Sequence, residues 1–388
     1  MKRAIIVAGL GFGDEGKGAA TAYLAEKYSA GLIVRYNGGA NAAHNVTAPD
    51  FKHHTFRQFG SGTFSGSTTY LGKHVRVDPL EVKAESRRLT LLGFRPNQLR
   101  AHTDALVVTE YHIYQSAINA AMHKRGTTAN GVGTTKRFAE LYPSQSLRIG
   151  DLYGSPDVVY DKVRFIESKL SAGANCWRDI AYDLIMAASD CIAPTDDSVL
   201  NEYDTVVFEG AQGALLDCER GYKPYVTSSD TSFKHALEMI PEGVDSKRIG
   251  VTRIYATRHG VGPFPTESYM LPRDATRELH NRAGAAELQG EWRTGWLDLN
   301  LLRRSVIDIL GGVDSIALSH VDRFNTQDNW NIIGARASDS VRMDDYIEVK
   351  SLESLVTQIE AACSAPVEVI GCGRRTTNWS GGIYNDAR

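Results

Sequence analysis

The stretch GFGDEGKG, residues 11–18, stands between an apolar run, AIIVAGL at 4–10, and AATAYLAEKY at 19–28, whose apolar and small residues share one helical face. The apolar run predicts a buried strand and the periodic stretch a helix, so the glycines occupy a strand-to-helix turn. There the backbone can approach a ligand closely, and the first N–H groups of the helix favour phosphate oxygens. Gly11, Gly16 and Lys17 follow the spacing G-x-x-x-x-G-K, with Gly13 and Glu15 inside the loop. Gly18 stands where such loops normally carry the Ser or Thr that holds Mg²⁺. Asp14 is then the nearest oxygen donor for a hard cation. Most isolated glycine-rich turns are only turns, but strand, loop and helix here fall in the order that phosphoryl transfer needs.

The chain has 388 residues, of which 42% are hydrophobic, enough for a large core and for one elaborated domain or two or three smaller ones. A formal net charge of −3 gives no general attraction to nucleic acid or membranes, so anion binding must be local. No apolar run approaches the roughly 20 residues of a membrane span, and the first residues read as a strand rather than a signal peptide, which predicts a cytoplasmic protein. Five cysteines without close metal-type spacing read as free thiols in a reducing compartment. His53 and His54, in a polar stretch, read as a solvated loop.

Strand-like runs recur at 32–36, 105–109, 205–208, 250–256, 315–318 and 367–370, with helical patterns between many of them. They predict an α/β fold with a P-loop-like, mostly parallel central sheet flanked by helices. Unusual turns follow several runs, and ligands gather beyond the carboxyl ends of parallel strands. The stretch 110–203 reads as a helical subdomain within a single unit spanning 1–388, and 267–291, rich in charge, Ala and Gly, reads as a mobile segment.

Eight strings, in order along nearly the whole chain, resemble the adenylosuccinate synthetase family: GFGDEGKG (11–18), NGGANAAH (37–44), GVGTTKR (131–137), LRIGDL (147–152), FEGAQGALLD (208–217), YVTSSDTS (225–232), TRHGVGPFPTE (257–267) and TGWLDLNLLRR (294–304). The resemblance implies a ligase that phosphorylates the 6-oxygen of a purine nucleoside monophosphate from a nucleoside triphosphate, after which L-aspartate displaces the phosphate. It implies that Asp14 takes the N1 proton, that Asp14 and Ala43 ligate Mg²⁺, that His44 acts as acid at the 6-oxygen, and that Lys17 neutralises the transferring phosphoryl group. It further implies that Asn41, Thr134, Thr135, Gln212 and Thr227 line the monophosphate site, with Gln212 also serving the chemistry. Arg148 matches an arginine that reaches across a homodimer interface to the neighbour's nucleotide. Without the resemblance, EGAQG would read as a turn and VTSS as a strand end.

The chain departs from the family pattern around its substrates. The aspartate-binding loop, normally a run of arginines, reads QGEWRTGW (289–296), leaving Arg293 and Thr294 to hold aspartate. One missing arginine approaches the ribose 2′-hydroxyl in ordinary members. The triphosphate base motif reads SHVD (319–322), keeping Asp322 but placing His320 for lysine, and GCGRRTT (371–377), with Gly373, replaces the usual Gly-Pro element. Asp322 suits GTP, whereas the altered covering element suits ATP or dATP. FAELYP (138–143) also replaces a Gly- and Pro-containing loop. This pattern points to dGMP as acceptor, as in the phage-type 2-aminoadenylosuccinate synthetases of diaminopurine DNA synthesis. The retained Asp14 keeps the ordinary reaction of IMP with GTP open, and a non-catalytic nucleotide-binding regulator is the alternative of a different class.

Overall fold

The computed structural model describes residues 1–123, 126–170, 176–268, 271, 286–326, 330–334 and 341–381. The apolar run 4–10 forms most of the strand Arg3–Gly9, in which every residue after Arg3 is buried. It sits inside a ten-stranded sheet, between Thr205–Glu209 and Asp245–Arg253. Outward on one side follow Leu32–Arg35, Thr68–Leu71, Leu99–His102 and Ile192–Thr195; on the other, Ser315–Ser319, Val367–Gly371 and Trp379–Gly381. All neighbours run parallel except the edge strand Trp379–Gly381.

Alternate residues of the first strand serve opposite faces, as the two-residue period of a strand requires. Ala4, Ile6 and Ala8 enter the largest core, with Phe208, Trp296 and Leu318. Ile5 and Val7 face Ala19, Ala20 and Leu24 of the helix Lys17–Lys27, whose alanines let it lie close to the sheet. A third core joins Val77, Leu89 and Leu99 to the helices Glu110–His123, Val132–Leu141, Pro156–Leu170 and Trp177–Cys191. The helical stretch therefore shares its core with earlier elements, and it ends in Ile192–Thr195, the far edge of the main sheet.

Several expectations need correction. The run 250–256 is split: Asp245–Arg253 belongs to the main sheet, and Tyr255–His259 opens a second, four-stranded sheet with Trp292–Asp298. The run 105–109 supplies only Leu106–Val107, paired with Arg76–Val77 outside the main sheet. His54 is not solvated; it is buried and lies 3.2 Å from the buried carboxylate of Glu85. The segment 267–291 falls largely outside the described residues. The five cysteines are free, and no helix among the described residues is long and apolar enough to cross a membrane.

Candidate active site

Loops at the carboxyl ends of the central strands supply the site. In the first, Glu15 turns back into the loop, where Oε1 accepts from Gly11 N and Gly13 N, each at 2.9 Å, and Oε2 accepts from the Lys17 ammonium. Both side chains of this ion pair are buried. A Cβ at Gly213 would stand 2.3 Å from Glu15 Oε1, so the turn after Glu209 must be glycine for the carboxylate to fit. Asp14 takes a left-handed φ of 60°, a conformation that short polar residues tolerate. Its carbonyl accepts from Arg253 Nε, and its carboxylate Oδ2 lies 3.2 Å from His259 Nε2.

His44 packs on the same loop: a Cβ at Gly18 would lie 2.7 Å from His44 Cβ. Its Nδ1 is 2.6 Å from Glu209 Oε1, and Glu209 also accepts from Ser61 N at 3.0 Å and from the Ser61 hydroxyl. Glu209 is fully buried. Burial pushes the Glu209 carboxyl up, but His44, Arg35 and Ser61 together hold it below its ordinary range, so it stays ionised. Burial is also the largest influence on His44 and holds the imidazole below the usual histidine range against the pull of Glu209. An ionised acceptor fixes the Nδ1 proton and leaves Nε2 for a ligand.

Gln212, at φ 60°, has both amide atoms buried and unbonded, and a Cβ on Gly38 of the NGG turn would lie 3.4 Å from them. Asn41 Oδ1 is likewise buried without a partner. Buried polar atoms are seldom left unpaired, so both are available to a polar ligand. Asn37 ties the walls together, accepting from Ala211 N at 2.7 Å and donating to the Asp230 carbonyl at 2.8 Å. Thr134 and the buried Thr135 stand in the first turn of the helix Val132–Leu141, where Thr135 Oγ1 is held by the Gly131 carbonyl at 2.9 Å. Thr227 is half-buried, its N–H held by the Leu216 carbonyl at 2.8 Å.

Arg293 is heavily engaged. Nε and Nη2 bind both oxygens of Glu267 at 3.0 and 2.6 Å, while Nη1 donates to the Gly260 and Gly262 carbonyls at 2.9 Å each. That uses four of the five N–H donors a guanidinium offers, so a bidentate grip on aspartate requires exchange of Glu267. Thr294 lies on the same strand, opposite Thr257. Trp292 meets the His259 ring edge-on at 4.7 Å and lies 5.4 Å from the Arg253 guanidinium.

Beyond the helix start, Ser319 closes over Gly16, its hydroxyl donating to the Glu15 carbonyl at 2.7 Å and lying 2.8 Å from His320 Nδ1. Asp322 is exposed, 3.3 Å from Arg323 Nε; burial and then the Asp322 charge push the Cys372 thiol up, which sets the 371–377 turn near Asp322. Gly373 has φ 154°, and a Cβ there would meet Asn378 Oδ1 at 2.9 Å. Arg148 stands apart, its Nη1 donating to the Asp104 carbonyl at 2.7 Å near the surface. Ala43 lies exposed just before His44 and can offer a hard cation only its carbonyl. Asp14 and Ala43 would each offer an oxygen, the donor that Mg²⁺ takes. Glu209, His259, Arg253 and Glu267 were not singled out by sequence; an acid closing the apolar strand TVVFE before a glycine turn is the one signal that could have found Glu209.

A family model described as adenylosuccinate synthetase matches residues 6–353. The adenylosuccinate synthetase of Chlorobium limicola is 32% identical over 372 residues, covering 89% of this chain and 82% of that protein. That of Thermoplasma volcanium is 33% identical over 348 residues, covering 82% and 76%. Among solved structures, the fully ligated adenylosuccinate synthetase from Plasmodium falciparum superposes with a TM-score of 0.80 at 21% identity, over 97% of this chain and 99% of that one. Cyanophage S-2L succinoaminodeoxyadenylate synthetase, bound to dGMP and dATP as an energy donor, superposes with a TM-score of 0.70 at 19% identity, over 98% and 95%. At these identities the structural likeness speaks for the fold.

Proposed function

The chain belongs to the adenylosuccinate synthetase family and is a ligase that forms a carbon–nitrogen bond, and on that footing we propose that it joins L-aspartate to C6 of a purine nucleoside monophosphate, with dGMP as the acceptor. The observation that carries the reaction is the His44–Glu209 pair packed against Gly18 of the phosphate loop. Asp14 accepts the N1 proton, and the 6-oxygen so charged attacks the γ-phosphorus in line, releasing the nucleoside diphosphate. Lys17, which has three N–H donors, keeps Glu15 and still reaches the transferring phosphoryl group. The aspartate amine then forms the C6–N bond as the C6–O bond breaks and phosphate leaves. His44 serves that departure from Nε2. Burial holds the imidazole below the usual histidine range, and Glu209, which pulls the other way, supports the proton it must carry as phosphate leaves.

Mg²⁺, when bound, offsets charge on the β- and γ-phosphates; Asp14 and Ala43 would hold it. Gln212 and Asn41 would complete their unpaired atoms on the monophosphate, with Thr134, Thr135 and Thr227 around its phosphate and base. Arg148 would act on the neighbouring subunit's nucleotide in a homodimer, exchanging its present contact with the Asp104 carbonyl. These substrates place the reaction in the cytoplasm.

Support for dGMP comes from the aspartate loop. Residues 289–292 carry no arginine, and Arg293 is the residue given to aspartate, so this loop has no second guanidinium to direct at the ribose 2′-hydroxyl as ordinary members do. A second reading, IMP with GTP, is favoured by the retained Asp14 and by relatives named adenylosuccinate synthetase at 32–33% identity. Product mass decides between them: purified protein with Mg²⁺, aspartate and ATP, dATP or GTP is offered dGMP, GMP and IMP in parallel. An aspartyl adduct of dGMP supports the proposal, and an adduct of IMP alone replaces it with the second reading. No adduct with any pair favours a non-catalytic nucleotide-binding protein.

A further inference from the structure

Away from the phosphate loop, the turn after the strand Thr68–Leu71 meets the short helix Lys234–Met239. His74 from the turn and His235 and Glu238 from the helix bring their ligand atoms within 4.8 Å of one another, the one such trio among the described residues. Both imidazoles address the same carboxylate oxygen: His235 Nδ1 lies 3.3 Å, and His74 Nε2 3.6 Å, from Glu238 Oε2. We propose that His74, His235 and Glu238 form a binding site for a divalent transition-metal ion of the Zn²⁺ class, separate from the Mg²⁺ that accompanies the nucleotide.

Two neutral imidazoles and a carboxylate are the donors such ions prefer over Mg²⁺. Ligand bonds of about 2.0–2.1 Å in a tetrahedron put neighbouring donors roughly 3.3–3.4 Å apart, close to the two distances to Oε2. The rings are stacked, 3.6 Å between centroids and 12° from parallel, so their lone pairs run side by side. Rotation about χ2 must splay them for the nitrogens to converge. His74 also has two cations, Lys73 and Arg76, in its surroundings. Those two cations disfavour a metal ion, and the Glu238 carboxylate opposes them. Its side chain is 49% exposed, which leaves a solvent-facing position for a water as fourth ligand.

The location gives the ion a structural consequence. The helix begins just after the segment that carries Thr227 and Asp230, and the Asp230 carbonyl holds Asn37 of the NGG turn. A metal bridging His74 to this helix would fix that segment against the sheet.

The test uses full-length protein stripped with a chelator, without nucleotide, titrated with Co²⁺ as a spectroscopic probe and with Zn²⁺ in thermal melts. The expected result is one equivalent of Co²⁺ with visible absorption, binding at least tenfold weaker in Glu238→Gln and abolished in His235→Ala, and a melting temperature that Zn²⁺ raises in the wild type, raises less in Glu238→Gln and leaves unchanged in His235→Ala. Circular dichroism of each variant in chelator verifies folding, and Glu238→Gln, at an exposed position, guards against a folding failure in the other. Absence of Co²⁺ binding in the wild type, or binding that both substitutions leave unchanged, overturns the proposal. Neither readout depends on turnover, so the outcome is independent of the acceptor nucleotide.

Discussion

Replacing Glu209 with Gln isolates the contribution of the partner behind His44. The side chains are nearly the same size, and the amide oxygen can still accept from Ser61 N, so the buried packing survives. What is lost is the charge that faces His44 Nδ1 at 2.6 Å. A hydrogen bond to a charged group contributes about 1.5–3 kcal/mol. If that support is felt mainly when His44 carries a proton during phosphate departure, kcat falls roughly 10- to 100-fold at about 1.4 kcal/mol per tenfold, with little change in KM. The pH profile gives the sign. Glu209 raises the His44 pKa, so removing its charge lowers it further. A rate that needs protonated His44 declines as pH rises through that pKa, and the alkaline limb of kcat therefore moves to lower pH in the variant. Adduct formation followed by mass, across pH and with thermal melts as a folding control, measures both effects. An unchanged kcat, a loss confined to KM, or a limb displaced to higher pH would refute the reasoning.

Asp14→Asn is expected to abolish turnover while nucleotide binding persists, because it removes the proton acceptor and keeps the shape; turnover at the wild-type rate would take Asp14 out of that role. Arg148→Leu should weaken monophosphate use and recover part of its activity when mixed with the inactive Asp14→Asn subunit, since a hybrid dimer restores one complete site. Activity no greater than the sum of the separate variants would argue for sites contained within one subunit. Arg293→Met should raise the KM for aspartate about 10- to 100-fold, the equivalent of one charge-assisted contact. A lower melting temperature with an unchanged aspartate KM would instead make Arg293 a structural brace for the loop that carries Gly260 and Gly262.

The first strand, phosphate loop and helix could be read from sequence because their signals are local: an apolar run, glycines at a turn, and a 3.6-residue period. The strands Thr68–Leu71, Leu99–His102 and Ile192–Thr195 could not. TTYL and LRAH are short and mix polar with apolar residues, and IAPT holds a proline that only an edge strand tolerates. Site residues divided in the same way. His44 and Gln212 lie in strings that draw attention to themselves, whereas Glu209 matters because it meets a residue 165 positions away. Glu267 gains its meaning from Arg293, and His259 from Asp14, only after the second sheet brings their strands to the loop. The doubled histidines misled for a related reason: the polar look of His54 conceals Glu85, which burial and the helix Pro79–Leu91 place beside it.

Glu15, Glu209 and Glu267 each face a nitrogen-bearing side chain of the candidate site, and the fates of these three pairs differ. Lys17 can retain Glu15 while donating its remaining protons to phosphate, so that pair can persist through the reaction. His44 and Glu209 must persist, since separation would leave a fully buried carboxylate without its partner, a far larger cost than any surface ion pair involves. Arg293 and Glu267 cannot both keep their present contacts and bind aspartate bidentately, because only one guanidinium N–H remains. Both are only partly buried, so exchange of one carboxylate for another costs comparatively little. The replaceable carboxylate is thus held by Arg293, in the loop where this chain departs from the family pattern, while the fixed one stands behind the imidazole proposed to serve the leaving phosphate. Changes in substrate choice can accumulate around Arg293 and Glu267 without disturbing the chemistry supported by His44 and Glu209.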